Sequence, residues 1–411
     1  VIDSLQLTDW DFLISPEALR RTLAGLPRCA QADIFVESTS ESTMILSNTA
    51  TQHTSQRNLN GYGIRQIDFS NALHYRHFPV LRSGRHPASE PVLRQVKSLI
   101  DESLSFWPLA ETITVRRRDI ARDIVIADRD GLFIKKSDHR IEVWVDVHHH
   151  GNASGRTSRR WRDDSDEDLR AIVREAVRHA ETDLEAVALK PGEYDVVLAA
   201  GETAMFVHEI FGHAMEADVT ANPVASEFVT VIDRCPEDRT QPDDEGMQHR
   251  PVVLIDRGRP AARLTDRTTA MTMRQTSTGN GRRQDYRHIP IPRMWETYLA
   301  AGNDFADEIV QSVKNGVYAE EVEAGHTYSD TDEVLLKITR GRRIENGKLT
   351  YPVKPLCLTG RRPSIGTAVT QVGQDLKFDT RATYCGKAGQ WIPVGLGQPT
   401  VMLKSVRLGY L

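Results

Sequence analysis

Two rhythms of apolar and polar positions run through the first half of the chain. Runs rich in β-branched and aromatic residues at 32–37, 43–48 and 62–69 predict strands, with Asn60-Gly61 as a turn between two of them. Runs at 120–127, 132–136 and 141–147 predict three more, with Asp130-Gly131 as a hairpin turn. Helical signals lie between and beside them. Ser15-Pro16-Glu17 supplies a cap, a proline at the first helical position and an acid at the positive end, so a helix is predicted up to Gly25. A second is predicted over 89–106. A third spans 163–187, where Leu169, Ile172, Val173, Ala176 and Val177 recur at helical spacing. Pro191-Gly192 marks a boundary, after which 194–199 predicts a strand and 202–217 a helix.

Composition narrows the class. A chain of 411 residues suggests two or three domains at about 150 residues each. Lys plus Arg number 52 and Asp plus Glu 57, a formal charge of −5, which argues against broad phosphate-driven nucleic-acid binding. No apolar run approaches the ~18 residues that cross a bilayer. The first 25 residues lack the basic-then-apolar layout of a signal peptide. The chain begins with Val1 rather than Met, so something upstream is expected. Cys29, Cys235, Cys357 and Cys385 lie far apart with no CxxC pair, which fits a reducing compartment. The expectation is a soluble, cytoplasmic protein with no nucleic-acid or membrane partner. His148-His149-His150 reads as a polar strand end rather than a metal site, because neighbouring side chains alternate faces. The basic stretch 155–162 is followed by Asp163, Asp164, Asp166, Glu167 and Asp168, so it reads as a solvated loop and helix start.

Chemistry concentrates at His208-Glu209-Ile210-Phe211-Gly212-His213, an HExxxH pattern. Its logic is that of a zinc peptidase helix: two imidazoles hold the metal and the adjacent Glu209 polarises a water. By composition alone the pattern would arise about 0.07 times in such a chain, so the motif needs its context. The spacing is unusual. Residues four apart on an α-helix sit about 40° apart around the axis, but residues five apart sit about 140° apart. The helix must therefore bulge or end between the histidines, and Gly212 is a natural place. A catalytic zinc takes three protein ligands. The third is open among Cys385, Cys357, Glu216 and other His or Asp residues. Glu216 could alternatively orient His213 from behind the metal, or be an ordinary surface acid. Cys385 is favoured, because glycines surround it and Lys387 promotes the thiolate. Gly279-Asn280-Gly281 lacks the layout of a phosphate loop.

The segment 207–218 resembles the HExxxHxxExD segment of the TldD/PmbA family of bacterial metallopeptidases, and specifically its TldD branch, since the TldE (PmbA) branch lacks the zinc motif. Similarity continues through TGNGRR (278–283), YRHIPIPRM (286–294), NGVYA (315–319), IENGKLTYPVK (344–354), CGKAGQ (385–390) and PVGLGQPT (393–400), and more loosely through 32–37 and GYGIR (61–65). The resemblance implies an α+β fold: an N-terminal α/β domain over 1–190, then a strand-rich α+β metallopeptidase domain over 191–411. It implies Zn2+ held by His208, His213 and Cys385, with Glu209 as the catalytic acid and base. The implied reaction is hydrolysis of peptide or amide bonds, on unfolded peptides within a dimer cavity. The implied partner is a TldE/PmbA-like subunit without the zinc motif, in a heterodimer; a homodimer is the alternative. Arg282, Arg283 and His288, in the family-like block, are candidates for substrate binding, against a structural role for paired arginines beside a turn. Two departures bear on the substrate: 151–162 is rich in Arg where the family is rich in Gly, and AGHTYS (324–329) replaces a GGGQVD-like segment. They leave room for a small-molecule amide substrate in a biosynthetic pathway, or for a non-catalytic subunit.

Overall fold

The computed structural model describes residues 14–49, 53–70, 72–80, 90–107, 110–149, 153–161, 166–221, 223–236, 241–328 and 330–410. Ser89, His150 to Asn152 and the start of the third predicted helix (163–165) lie outside the described residues.

The first half folds as α1 (Pro16–Gly25), β1 (Gln31–Ser47), β2 (His53–Ile67), β3 (Leu73–Pro79), α2 (Glu90–Phe106), β4 (Ala110–Asp128), β5 (Phe133–His149), β6 (Ser154–Trp161) and α3 (Asp166–Glu185). The six strands form one antiparallel sheet in the order β3-β2-β1-β4-β5-β6. All five periodic residues of α3 are buried, packing with Val96 and Ile100 of α2 onto Ile113, Val115, Val143 and Val145. Leu19 and Leu23 of α1 cover the other end of the sheet, against Ile34, Val36, Ile64 and Val125. Burying such side chains stabilises by about 1.5–3 kcal/mol each.

Several predicted breaks are absent. The runs 32–37 and 43–48 belong to one strand, and so do 132–136 and 141–147. The polar residues that looked like interruptions, among them Thr39, Glu41, Asp138 and Arg140, line a cleft between this sheet and the second half of the chain. Asn60-Gly61 is not a turn. It sits within β2, opposite Ser38 and Glu37, where a Cβ on Gly61 would strike the ring of Tyr286 from the second half. The basic stretch 155–162 is not a solvated loop; through Trp161 it is β6, paired along β5. Arg159 and Arg160 are largely buried against Glu175 and Glu142, while Arg156 pairs with Asp146 but stays exposed. Charge in sequence is therefore a poor guide to exposure when the partners arrive from elsewhere.

The second half begins with β7 (Gly192–Leu198). β7 is flanked by strands Asn315–Tyr328, parallel to it, and Val401–Gly409, antiparallel. The sheet continues through Leu356–Arg361 and Glu333–Glu345 to Lys348–Pro352. Because Asn315–Tyr328 also pairs with Glu333–Glu345, five strands close into a ring. A second sheet runs Arg259–Pro260, Val252–Asp256, Val231–Arg234, Glu296–Leu299, Gly395–Gln398 and Lys377–Phe378. A small hairpin, Tyr384–Lys387 with Gln390–Pro393, stands between them in sequence. The whole is a strand-rich α+β fold, as expected. Among the described residues, no helix is long and apolar enough to cross a membrane.

Candidate metal centre

The helix predicted over 202–217 is shorter and irregular. Met205–Val207 is α-helical, His208–Gly212 is a π turn, and His213–Met215 closes as a 3-10 turn. In the π turn the backbone N–H of His213 donates to the carbonyl of His208, a bond five residues long. The extra residue per turn brings His213 back over His208. Of the two alternatives the spacing left, the helix bulges. Gly212 is not the site of an unusual backbone angle, since its φ of −58° is ordinary. Its lack of a side chain makes room instead: a Cβ there would collide with Met294 Sδ. Phe206, Val207, Ile210 and Phe211 are fully buried and fix the turn in the core.

The distortion turns both imidazoles to one point. His208, His213 and Cys385 present ligand atoms that all lie within 4.8 Å of one another. The two rings are 4.7 Å apart at 76°, and Cys385 Sγ is 3.3 Å from His213 Nε2. Cys385 comes from the hairpin Tyr384–Lys387, paired opposite Ile392, and Arg293 donates to its carbonyl at 2.6 Å. Burial pushes the Cys385 thiol up, but His208 and His213 outweigh it and hold it well below the ordinary thiol value. Lys387 does not perform that task. Its ammonium lies 3.0 Å from Glu216 and 2.5 Å from Asp218.

Glu216 lies on the other side of His213, with Oε2 2.8 Å from Nδ1. It is wholly buried; burial alone would raise its pKa, but His213 and then Lys387 bring it down to about 2. An ionised carboxylate on Nδ1 fixes the ring and leaves Nε2 facing the thiol. Glu209 is buried beside His208, and the Thr327 hydroxyl donates to its Oε2 at 2.8 Å. The same hydroxyl is 3.1 Å from the Glu209 carbonyl. Strand Asn315–Tyr328 approaches this closely because residue 325 is glycine; a Cβ there would run into Glu209 Cγ. Thr327 lies in the AGHTYS segment that departs from the family pattern, but no residue spacing ties it to Glu209. Arg293 lies within the family-like block YRHIPIPRM, and no local pattern ties it to the cysteine.

The remaining candidates lie elsewhere. Cys357 is buried in strand Leu356–Arg361, and burial raises its thiol. Arg282 donates to the carbonyls of Met294 and Pro393 and stacks on Trp295. Arg283 is buried over the Phe35 ring and donates to the carbonyls of Asp244 and His288. His288 Nδ1 is 2.8 Å from Asp285. Arg282 and Arg283 also edge the polar cleft of about 180 Å³ between the halves, with Tyr384 and Trp391; none of the three clustered residues lines it. His148 borders a separate cavity, and His149 is buried at the end of β5.

The donor set fits a metal ion. Bonds of about 2.0–2.3 Å in a tetrahedron put nitrogen and sulfur ligands about 3.4–3.7 Å apart, close to the observed sulfur–nitrogen separation. His208 and Cys385 are buried and His213 partly so, and His208 Nδ1 has no hydrogen-bond partner in the protein. Two imidazoles and a thiolate suit zinc over magnesium or calcium, which prefer oxygen.

Residues 191–409 match the family model described as the PmbA/TldA metallopeptidase C-terminal domain. A metalloprotease TldD homolog of Buchnera aphidicola is 34% identical over 264 residues, 60% of this chain and 55% of that one. The TldD homolog of Haemophilus influenzae is 34% identical over 261 residues (59% and 54%), and a zinc metalloprotease TldD homolog of Saccharolobus solfataricus is 30% identical over 256 (59% and 57%). The chain thus spans about half the length of these curated relatives. Two solved structures share the fold along almost their whole length. TldE of Thermococcus kodakarensis gives a TM-score of 0.71 at 15% identity, covering 96% of this chain and 99% of its own. A Thermotoga maritima protein described as a putative modulator of a DNA gyrase gives 0.74 at 16%, covering 97% and 99%. With its C-terminal half matched from residue 191 to 409, this chain belongs to the PmbA/TldD family of metallopeptidases.

Proposed function

We propose that the chain is a zinc-dependent hydrolase of the TldD branch, cleaving peptide or amide bonds, with unfolded peptide as the substrate class. The observation that carries this reading is the convergence of His208, His213 and Cys385 within 4.8 Å, with Glu209 next to the first histidine. In this reading the three side chains hold zinc, which when bound supplies a Lewis acid and lowers the pKa of a coordinated water. Glu209 takes the proton from the attacking water and delivers it to the leaving amine. Thr327 keeps that carboxylate from swinging away, and Glu216 keeps His213 in one tautomer. Arg282 and Arg283, which edge the cleft between the halves, are the substrate contacts in this reading; His288 does not line that cleft and has no such support. The proposed partner is a TldE-like subunit of the same fold without the zinc motif; a homodimer is the other arrangement to be tested.

The test is hydrolysis of an unfolded peptide by the purified chain, alone and mixed with such a subunit, with and without chelator. Activity should vanish on chelation and return with zinc. Glu209→Gln should lower kcat by about 10²–10⁴ with zinc content unchanged. If peptide is untouched but small amides are cleaved, the substrate is a small molecule. Full activity in Glu209→Gln would overturn the reading.

A further inference from the structure

The third metal ligand is held from the other half of the molecule. Cys385 follows Tyr384, whose hydroxyl donates to the carboxylate of Glu142 on β5, 2.8 Å from each oxygen. Glu142 is fully buried and also receives Arg160 Nε at 2.9 Å. Arg160, on β6, reaches onward: Nη2 donates to the carbonyl of Thr383 at 2.8 Å and Nη1 to that of Val394 at 3.4 Å. Its guanidinium also lies over the Tyr384 ring, 5.2 Å from the centroid. Its own amide donates to Thr380, and Ser158 accepts from the amide of Ala382. These contacts grip both strands of the hairpin at the end next to the cysteine. The hairpin is short, four residues to a strand, and pairs only within itself. A two-stranded ribbon of that length has little stability of its own, so its position must come from outside contacts. The C-terminal half holds the far end and the outer strand, through Arg293 to the carbonyls of Cys385 and Gln390, Arg282 to that of Pro393, and Lys387 to Glu216 and Asp218; the contacts at the Thr383-Tyr384 end come from β5 and β6.

We propose that Glu142 and Arg160 are positioning residues for the metal centre: acting through Tyr384 and the carbonyls of Thr383 and Val394, they hold Cys385 against His208 and His213. The N-terminal sheet is then part of the metal site without supplying a ligand. The basic stretch on β6, which in sequence resembles a solvated surface, has its use here. The inference rests on the reading that the His-His-Cys cluster binds zinc.

A merely structural role would dock the two halves and leave the metal alone. Lys136 provides the control. It is buried to a like degree and crosses the same boundary, to Asp244 at 2.7 Å and to the carbonyls of Pro242 and Asp243, without touching the hairpin. Zinc affinity is measured on the full chain by chelator competition, beside the melting temperature of the zinc-free protein. Tyr384→Phe and Glu142→Gln should each weaken zinc by about tenfold to a hundredfold, the range seen when partners behind metal ligands are removed. Lys136→Met should lower the melting temperature to a similar extent and shift zinc affinity by less than about twofold. Cobalt gives an independent readout: in Tyr384→Phe the thiolate-to-metal absorption should fall. Arg160→Lys keeps the charge but not the fork, and should weaken zinc in between. Unchanged zinc affinity in both Tyr384→Phe and Glu142→Gln overturns the proposal, as does an equal loss in Lys136→Met. Wild-type protein that binds no zinc is a different result, because it removes the metal reading itself.

Discussion

Thr327 shows how one hydroxyl decides what a carboxylate can do. In the proposed mechanism Glu209 handles the proton; it is buried, and a glutamate has three rotatable bonds with which to turn away. Thr327 fixes one oxygen, so the other is presented in a single direction. The strand carrying Thr327 is held there by its antiparallel pairing with Glu333–Glu345, Thr327 lying opposite Val334, and is anchored at its start by β7 over 316–319. Thr327→Val keeps the shape and removes the donor. It should lower kcat about tenfold to a hundredfold, the worth of roughly 1.5–3 kcal/mol for a bond to a charged group, with KM and zinc content little changed. Thr327→Ser should restore most of the rate. Steady-state kinetics with metal analysis checks both; a loss of zinc in Thr327→Val, rather than of turnover, would contradict this account.

At the level of the element, the π turn is held by packing and not by glycine's freedom. Gly212 has an ordinary backbone and sits against Met294. Gly212→Ala should therefore destabilise by about 1–3 kcal/mol through overpacking and loosen zinc, because His213 is the next residue. Met294→Ala opens a cavity and should cost about 2–5 kcal/mol alone. Combined, the two should cost clearly less than the sum, since each relieves the other. Denaturant titration of the four proteins measures the coupling, and simple additivity would show that Gly212 serves something else. The same segment marks what was legible in the sequence. The motif residues and the need for a bulge followed from residue types and spacing, which are local. Cys385 could be favoured but not fixed without the family resemblance, because 172 residues separate it from His213. Thr327, Glu142 and Arg160 were invisible for the same reason: their partners are brought together by sheet pairing, which leaves no periodic trace. The helices of the first half, α1 to α3, were legible because one apolar face repeats, and β1, β2, β4, β5 and β7 were legible in part; β3, β6 and the strands after β7, many only two to five residues long, were not. Strands β1 and β5 were cut in two because their middles face a polar cleft.

Across the whole molecule, the halves meet through buried charge more than through a shared apolar core. Arg65 on β2 pairs with Asp33 and with Glu245 of the second half, Arg267 reaches Asp128, and Tyr286 packs on β2 while its amide donates to Glu37. One further contact across this boundary involves a histidine, His179. It lies on α3 with Nδ1 3.0 Å from the carbonyl of Arg156, and its Nε2 faces the Arg340 guanidinium of strand Glu333–Glu345. A neutral ring satisfies both contacts, donating to the carbonyl and accepting from the arginine; a protonated one would set two cations together. Burial, and then Arg340, accordingly lower its pKa from 6.5 to about 4. With the folded value below the unfolded one, the unfolded chain binds the extra proton between those limits. The stability His179 contributes is therefore complete above about pH 6.5 and is lost as the pH falls towards 4, on the order of 3 kcal/mol in all. His179→Gln can keep a donor to the carbonyl or an acceptor for the arginine and does not titrate. It should be less stable than wild type at pH 7.5, and the gap should narrow steadily down to pH 4.5. Urea midpoints across that range test this, and a gap that stays constant or widens in acid would mean that His179 is protonated in the folded joint.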